Sequence, residues 1–278
     1  MSGFRRRLMA AAQGGSAPVT KDYLKFTIRS SGTITFTIGW HLTTTDLNYI
    51  SYSNDNGASW TKLQNTDRTS SSAQIGNFNV TAGDVLLWKG DALRLGNGNS
   101  DYYAAKFGGS ASYDVSGNIM SLLNEDFEAL TSLTSSYQFC MLFSSANVVN
   151  AKYLILPSNT TNQCYFRMFY HKTTLVSAPV LPATWASTQC YYGMFDGASN
   201  INYIKALHTN DTGMNYWVRD VAAEGIFVKN INATWTTSGN NGVPSGWTII
   251  YYDIAEDKYY IDQQKTQECD DHGNVINA

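Results

Sequence analysis

Charge is scarce in this chain: 15% of its 278 residues are Asp, Glu, Lys or Arg. With 19 basic and 22 acidic residues the net charge is −3, so no global basic field recruits nucleic acid. No apolar run approaches the roughly 18 residues that a membrane-spanning helix needs. Histidine is sparse too. His41, His171, His208 and His272 form no HExxH pair and have no link to a Gly-x-Ser-x-Gly elbow. No phosphate-cradling loop is present. The acidic pairs Glu125-Asp126, Glu256-Asp257 and Asp270-Asp271 read as solvated turns rather than calcium ligands. Cys269-Asp270-Asp271-His272 offers neither a second cysteine nor a closed tetrahedral set for a metal. These absences leave no catalytic residue, cofactor or metal to name, and the reading is of a protein that is not an enzyme. What is abundant is Gly, Ser, Thr and Asn, with aromatics at 13%. That profile suits a β-rich extracellular, secreted or virion protein better than a cytosolic enzyme.

The most informative positive feature is a repeat. Phe139, Tyr165, Tyr191 and Trp217 are spaced by 26 residues, as are Phe143, Phe169, Phe195 and Val221, and Val149, Leu175 and Ile201. Repetition at this period is the mark of stacked units, none of which buries its apolar face alone. In the clearest unit, Leu175 to Pro182 reads as a short, proline-interrupted, edge-like strand. Ala186, Cys190, Tyr191, Met194 and Phe195 then fall at i, i+4, i+5, i+8 and i+9, one face of a short helix. Thr160, Cys164, Tyr165, Met168 and Phe169 repeat it, after period-two apolar residues Val149, Ala151, Tyr153 and Ile155. Strand, turn and helix together predict a leucine-rich-repeat-like solenoid. Cys164 and Cys190 share one slot and read as small buried hydrophobes, a disulfide or a metal having no support at this spacing.

The chain has room for two domains. Between Tyr23 and about Val115 the period is two: Thr33 to Ile38 alternates strictly and Tyr23 to Ile28 nearly so. Leu47–Ser53, Phe78–Val80 and Val85–Trp88 continue the series, which argues for a β-sandwich. Within it, Ser53-Asn54-Asp55-Asn56-Gly57-Ala58-Ser59-Trp60 resembles the Asp-box of sialidases. A single box, with three of eight arginines in the N-terminal arm, reads as a structural hairpin rather than an enzyme signature. The expected fold class is therefore α+β. It comprises an arm at 1–20, a β-sandwich at 21–116, a solenoid of about 26-residue units at 117–250 and an extension at 251–278.

Several segments resemble the BspA-like leucine-rich-repeat proteins of gut Bacteroides and of their crAss-like phages. They are Tyr113 to Leu122, the paired Cys-Tyr-x-x-Met-Phe segments, Ala178 to Ala183 and the closing Gly242 to Thr248. Phe4-Arg5-Arg6-Arg7-Leu8 is similar to the arm with which members of that family begin. Many relatives carry Cys-Thr-Ser-Leu between helix and strand, where this chain has His171 to Leu175 and Gly197 to Ile201. Tyr251 to Ala278 extends beyond the motif near which many relatives end, as a hairpin or docking tail.

The apolar run after the arginines is about five residues, short of the 7–15 of a signal peptide. The arm reads either as an anchor to a partner, through Phe4, Arg5, Arg6, Arg7 and Leu8, or as a solvated basic tail. The resemblance and the two ends together imply a virion structural protein, a capsid decoration or a head or tail fibre component. Such a protein is held by other virion proteins and forms a homo-oligomer. The alternative is a bacterial cell-surface adhesin. The candidate ligand surface for a host glycan lies on the aromatics Tyr170, Trp185 and Tyr192, which are equally readable as packing residues.

Overall fold

The structure, a computed structural model, describes residues 21–66, 71–98, 103–210, 212–235 and 237–276. Phe4, Arg5, Arg6, Arg7 and Leu8 lie outside the described residues. The alternating stretches near the start form strands β1 (Leu24–Ser30), β2 (Gly32–Ile38), β3 (Leu47–Ser53), β4 (Thr61–Gln64), β5 (Ala73–Val80) and β6 (Val85–Ala92). They are followed by β7 (Lys106–Gly108), β8 (Ser112–Asn118) and β9 (Asn147–Ile155). In β2, Ile34, Phe36 and Ile38 point inward and the threonines between them outward, as a half-buried strand requires.

One sheet runs β4-β3-β6-β1-β8-β9 and a second β5-β2-β7. Their facing sides meet through Phe107, whose ring lies 4.8 Å from Phe26 and 4.7 Å from Trp88, and through Tyr52 stacked on Phe78 at 4.2 Å. Strand β8 runs across residues 116 and 117 and pairs in parallel with β9, so one core continues from Leu24 to Trp247.

After β9 the structure departs from the expected α+β solenoid of strand and helix. The fold is nearly all-β, with three sheets, and no α-helix occurs among the described residues. Helical structure there is confined to short 3-10 turns such as Ile119–Leu122, Phe127–Ala129 and Gly239–Asn241. The segment expected as a helix, Thr160 to Phe169, is a run of four-residue turns with positive φ at Gln163, Arg167 and His171. Residues four apart recur on one side in such a run as they do on two turns of helix, so the apolar spacing alone does not distinguish them.

The backbone hydrogen bonds do. Phe166, Met168 and Tyr170 donate back to Gln163, Tyr165 and Arg167, closing their own turns. Tyr165, Arg167 and Phe169 donate instead to Cys190, Tyr192 and Met194 of the following turns, at 3.0, 2.8 and 2.9 Å. Rings therefore stack in columns: Phe139, Tyr165 and Tyr191 at 6.1 and 5.8 Å, and Phe143, Phe169 and Phe195 at 5.3 and 5.8 Å.

The expected strand at Leu175–Pro182 is reduced to single bridges at Ser177 and Leu181, because Pro179 and Pro182 have no N–H to donate. In β9 the pairing with β8 slips near Asp114, so Val148, Ala151 and Leu154 are buried. Tyr153 and Ile155, expected on the inner face, are exposed.

The third sheet contains β10 (Tyr203–Ala206), β11 (Ile226–Asn230) and β12 (Thr248–Asp253), paired in parallel. Residues beyond Tyr251 complete it as antiparallel β13 (Lys258–Tyr260) and β14 (Glu268–Cys269). Where the columns meet this sheet, His208 is fully buried, stacked on Trp235 at 5.3 Å and beside Tyr191 and Trp217.

The hydroxyls of Tyr165 and Tyr191 and Nδ1 of His208 are buried without a hydrogen-bond partner among the described residues. An unmet buried hydroxyl costs desolvation without return. Tyr165→Phe and Tyr191→Phe are therefore expected to be neutral or stabilising by up to about 1 kcal/mol in urea unfolding. Tyr191→Ala should cost about 3–5 kcal/mol.

Burial also pushes the His208 imidazole down to about 3. Because its folded pKa lies below its unfolded value of about 6.5, the unfolded chain binds the extra proton between these limits. Stability should fall as pH drops through this window, by at most about 1.4 kcal/mol per pH unit. Unfolding of His208→Phe at several pH values should show a flatter profile; an unchanged slope would sink this assignment.

Candidate functional site

Of the three aromatics expected at a ligand surface, the structure brings two together. The link is Arg167, whose backbone has φ 50° at the end of a four-residue turn. Its guanidinium carbon lies 4.7 Å from the ring of Tyr170, 5.2 Å from Phe166 and 5.8 Å from Tyr192. Tyr192 in turn stacks on Phe166 at 4.9 Å with an interplanar angle of 15°, and Tyr216 meets its edge at 5.9 Å.

Space for the arginine comes from the next unit. A Cβ at Gly193 (φ 57°) would stand 3.0 Å from Arg167 Cγ, and one at Gly197 (φ 74°) would stand 2.6 Å from the His171 ring. Trp185 is 66% exposed but lies apart, and no ring contact joins it to Tyr170 or Tyr192.

The two arginines of the stacked turns differ in what holds them. Arg219 donates through Nε and a terminal nitrogen to both oxygens of buried Asp196, at 2.9 and 2.6 Å. Arg167 pairs with no carboxylate among the described residues, and its Nε is buried without a partner. A planar cation lying on ring faces with donors to spare suits a carboxylate or sulfate, with stacking on the same rings. Sequence reasoning found the tyrosines and missed the arginine, although Arg167 sits two residues after Tyr165 within the repeat.

The other candidate groups resolve into structure. In the Asp-box between β3 and β4, Asp55 accepts from the Ser53 hydroxyl at 2.6 Å, the Ser59 N–H at 2.9 Å and the Ser59 hydroxyl at 2.5 Å. These bonds, Ser53 first, hold its carboxyl down to about 2. Trp60 packs edge-on to Tyr23 at 5.0 Å, with Lys89 over its ring. Cys164 and Cys190 are buried free thiols. Burial pushes the first well up and the second to about 12. Asp270, Asp271 and His272 place ligand atoms within 4.8 Å of one another on the surface. Cys269 instead turns inward against Val228 and Ile250.

Removing the guanidinium at position 219 strands the buried Asp196 carboxylate, whereas removing that of Arg167 strands nothing. Arg219→Met should cost about 1–2 kcal/mol in urea unfolding, after allowance for its partly exposed guanidinium. Arg167→Met should fall within about 0.5 kcal/mol of the parent. Compared with family models, curated proteins and solved structures, the chain matches none.

Proposed function

We propose that the chain is a non-enzymatic structural protein of a Bacteroides phage particle, a capsid decoration or a head or tail fibre component, that presents an adhesive surface. The observation that carries the adhesive surface is the shelf around Arg167, a guanidinium without a carboxylate partner among the described residues, laid over three rings. The virion setting rests on the resemblance of the sequence segments. The backbone beneath it is hydrogen-bonded from unit to unit, so the surface is preorganised rather than assembled on contact. Rings and a planar cation together suit a host-surface glycan.

Cys164, Cys190 and His208 are placed unfavourably for chemistry. Protonated, buried thiols are poor nucleophiles, and His208 is held neutral among aromatic rings. Weak single contacts of this kind gain strength by multiplication, which a homo-oligomer on a particle provides. In this reading Phe4, Arg5, Arg6, Arg7 and Leu8 fasten the chain to other virion proteins.

Mass spectrometry of purified particles should find the chain at stoichiometric copy number. Its absence there, with detection in the outer-membrane fraction of uninfected bacteria, would favour a cell-surface adhesin and overturn the virion assignment. On a glycan array the full chain should bind, and Arg167→Ala should weaken retention about fivefold without lowering the unfolding midpoint.

A further inference from the structure

A second cation sits in the third sheet, and its setting is the opposite of Arg167's. Lys229 lies on β11 on the same face as Phe227, the face that turns towards Trp235. The residue is only 7% exposed. Its ammonium donates to the Trp235 carbonyl at 2.8 Å and stands 5.2 Å from that ring. It forms no ion pair with any described carboxylate. One of three N–H donors is thus used, and the charge is left without a counter-ion where burial already disfavours it. A buried cation of this kind costs stability unless an anion joins it.

Lys229 lines a groove of about 530 Å³ together with Trp235, Ser238, Trp247, Tyr251 and Gln263 among others, and no acidic side chain is in its wall among the described residues. That volume is in the range of small-molecule sites. The walls are fixed by the fold. The indole N–H of Trp235 donates to the His208 carbonyl at 3.0 Å and that of Trp247 to the Ala222 carbonyl at 2.7 Å. Gln263 donates through its amide nitrogen to the Ile231 carbonyl at 2.7 Å, which leaves its carbonyl oxygen as an acceptor. The loop beneath is closed by a bridge between Ser238 and Val243.

We propose that this groove binds a carboxylate-bearing sugar residue of the hexuronate type, its carboxylate on Lys229 and its ring against the indoles. The wall combines the hydroxyl residues Ser238, Ser245 and Tyr251 and the Gln263 amide with two indoles, which matches the two-sided character of a sugar. An acidic peptide fits less well. Strand β12 beside the groove is paired on both edges, with β11 and β13, so it offers no free backbone for strand addition. The site does not depend on where the chain is displayed, and it shares no residue with the Arg167 shelf.

Calorimetric titration of the full chain with a glucuronate-containing tetrasaccharide tests this. Saturable binding is expected, and reduction of the carboxyls to alcohols should weaken it at least about tenfold, the loss of one charged hydrogen-bonded contact. Lys229→Met should weaken it as much while keeping or raising the unfolding midpoint, and Arg167→Ala should leave it unchanged. Should Lys229→Met fail to fold, Ser245→Trp, at an exposed position on the groove wall, should block binding instead. Absent binding, equal binding of the reduced sugar, indifference to both groove variants, or equally tight binding of a tetraglutamate peptide would each overturn the proposal.

Discussion

Between Gln163 and His171 the backbone N–H groups alternate in destination, one closing its own turn and the next crossing to the following unit. Much of the chain's middle depends on that alternation. A unit on its own would leave half of these donors without partners, and buried backbone groups do not stay unpaired. The units must therefore stack, and once they do, like rings meet like rings down the columns. The same pattern demands a residue with positive φ every fourth position, supplied by Gln163, Arg167 and His171 and then by Gln189, Gly193 and Gly197. The glycines at the last two of these positions leave room for the Arg167 and His171 side chains of the preceding unit.

The stack ends by a change of register. Tyr165 donates across to Cys190, but one unit later Tyr191 donates to Gly213, a step three residues shorter. Trp217, which the sequence spacing aligns with Tyr191, is displaced by this shortening and lies 6.4 Å from both Tyr191 and Phe195. Large rings from several directions then close around His208, and its indole neighbour Trp235 leads into the groove beside β11 and β12. The groove thus stands where turn stacking hands over to parallel strands.

Two cations are held against aromatic rings in ways that differ physically. Arg167 spreads its charge over a plane and keeps contact with solvent, so it tolerates the lack of a carboxylate at little cost. Lys229 concentrates its charge on one nitrogen and is nearly enclosed, so it gains far more from an anion. Arg219 shows the third arrangement, a guanidinium satisfied within the fold by Asp196.

Strict alternation in Thr33 to Ile38 was enough to place β2 and its inward face, because period two has one structural meaning in a half-buried strand. The 26-residue spacing likewise determined which rings would stack for three units, since identical turns must superpose. It could not determine that those turns are not helical, because a run of four-residue turns and a helix of about 3.6 residues per turn bury nearly the same positions over so short a stretch. Nor did it reveal the shortened fourth step, the slip that exposes Tyr153 and Ile155, or the company kept by Tyr170 and Tyr192. Arg167 and Lys229 are each a single residue in the sequence, and only the packing decided that one lies over three rings and the other lines a groove with no carboxylate among its described residues. Periodicity records which side of the chain is apolar. Hydrogen-bond destination and charge pairing are long-range properties, and only the folded chain supplies them.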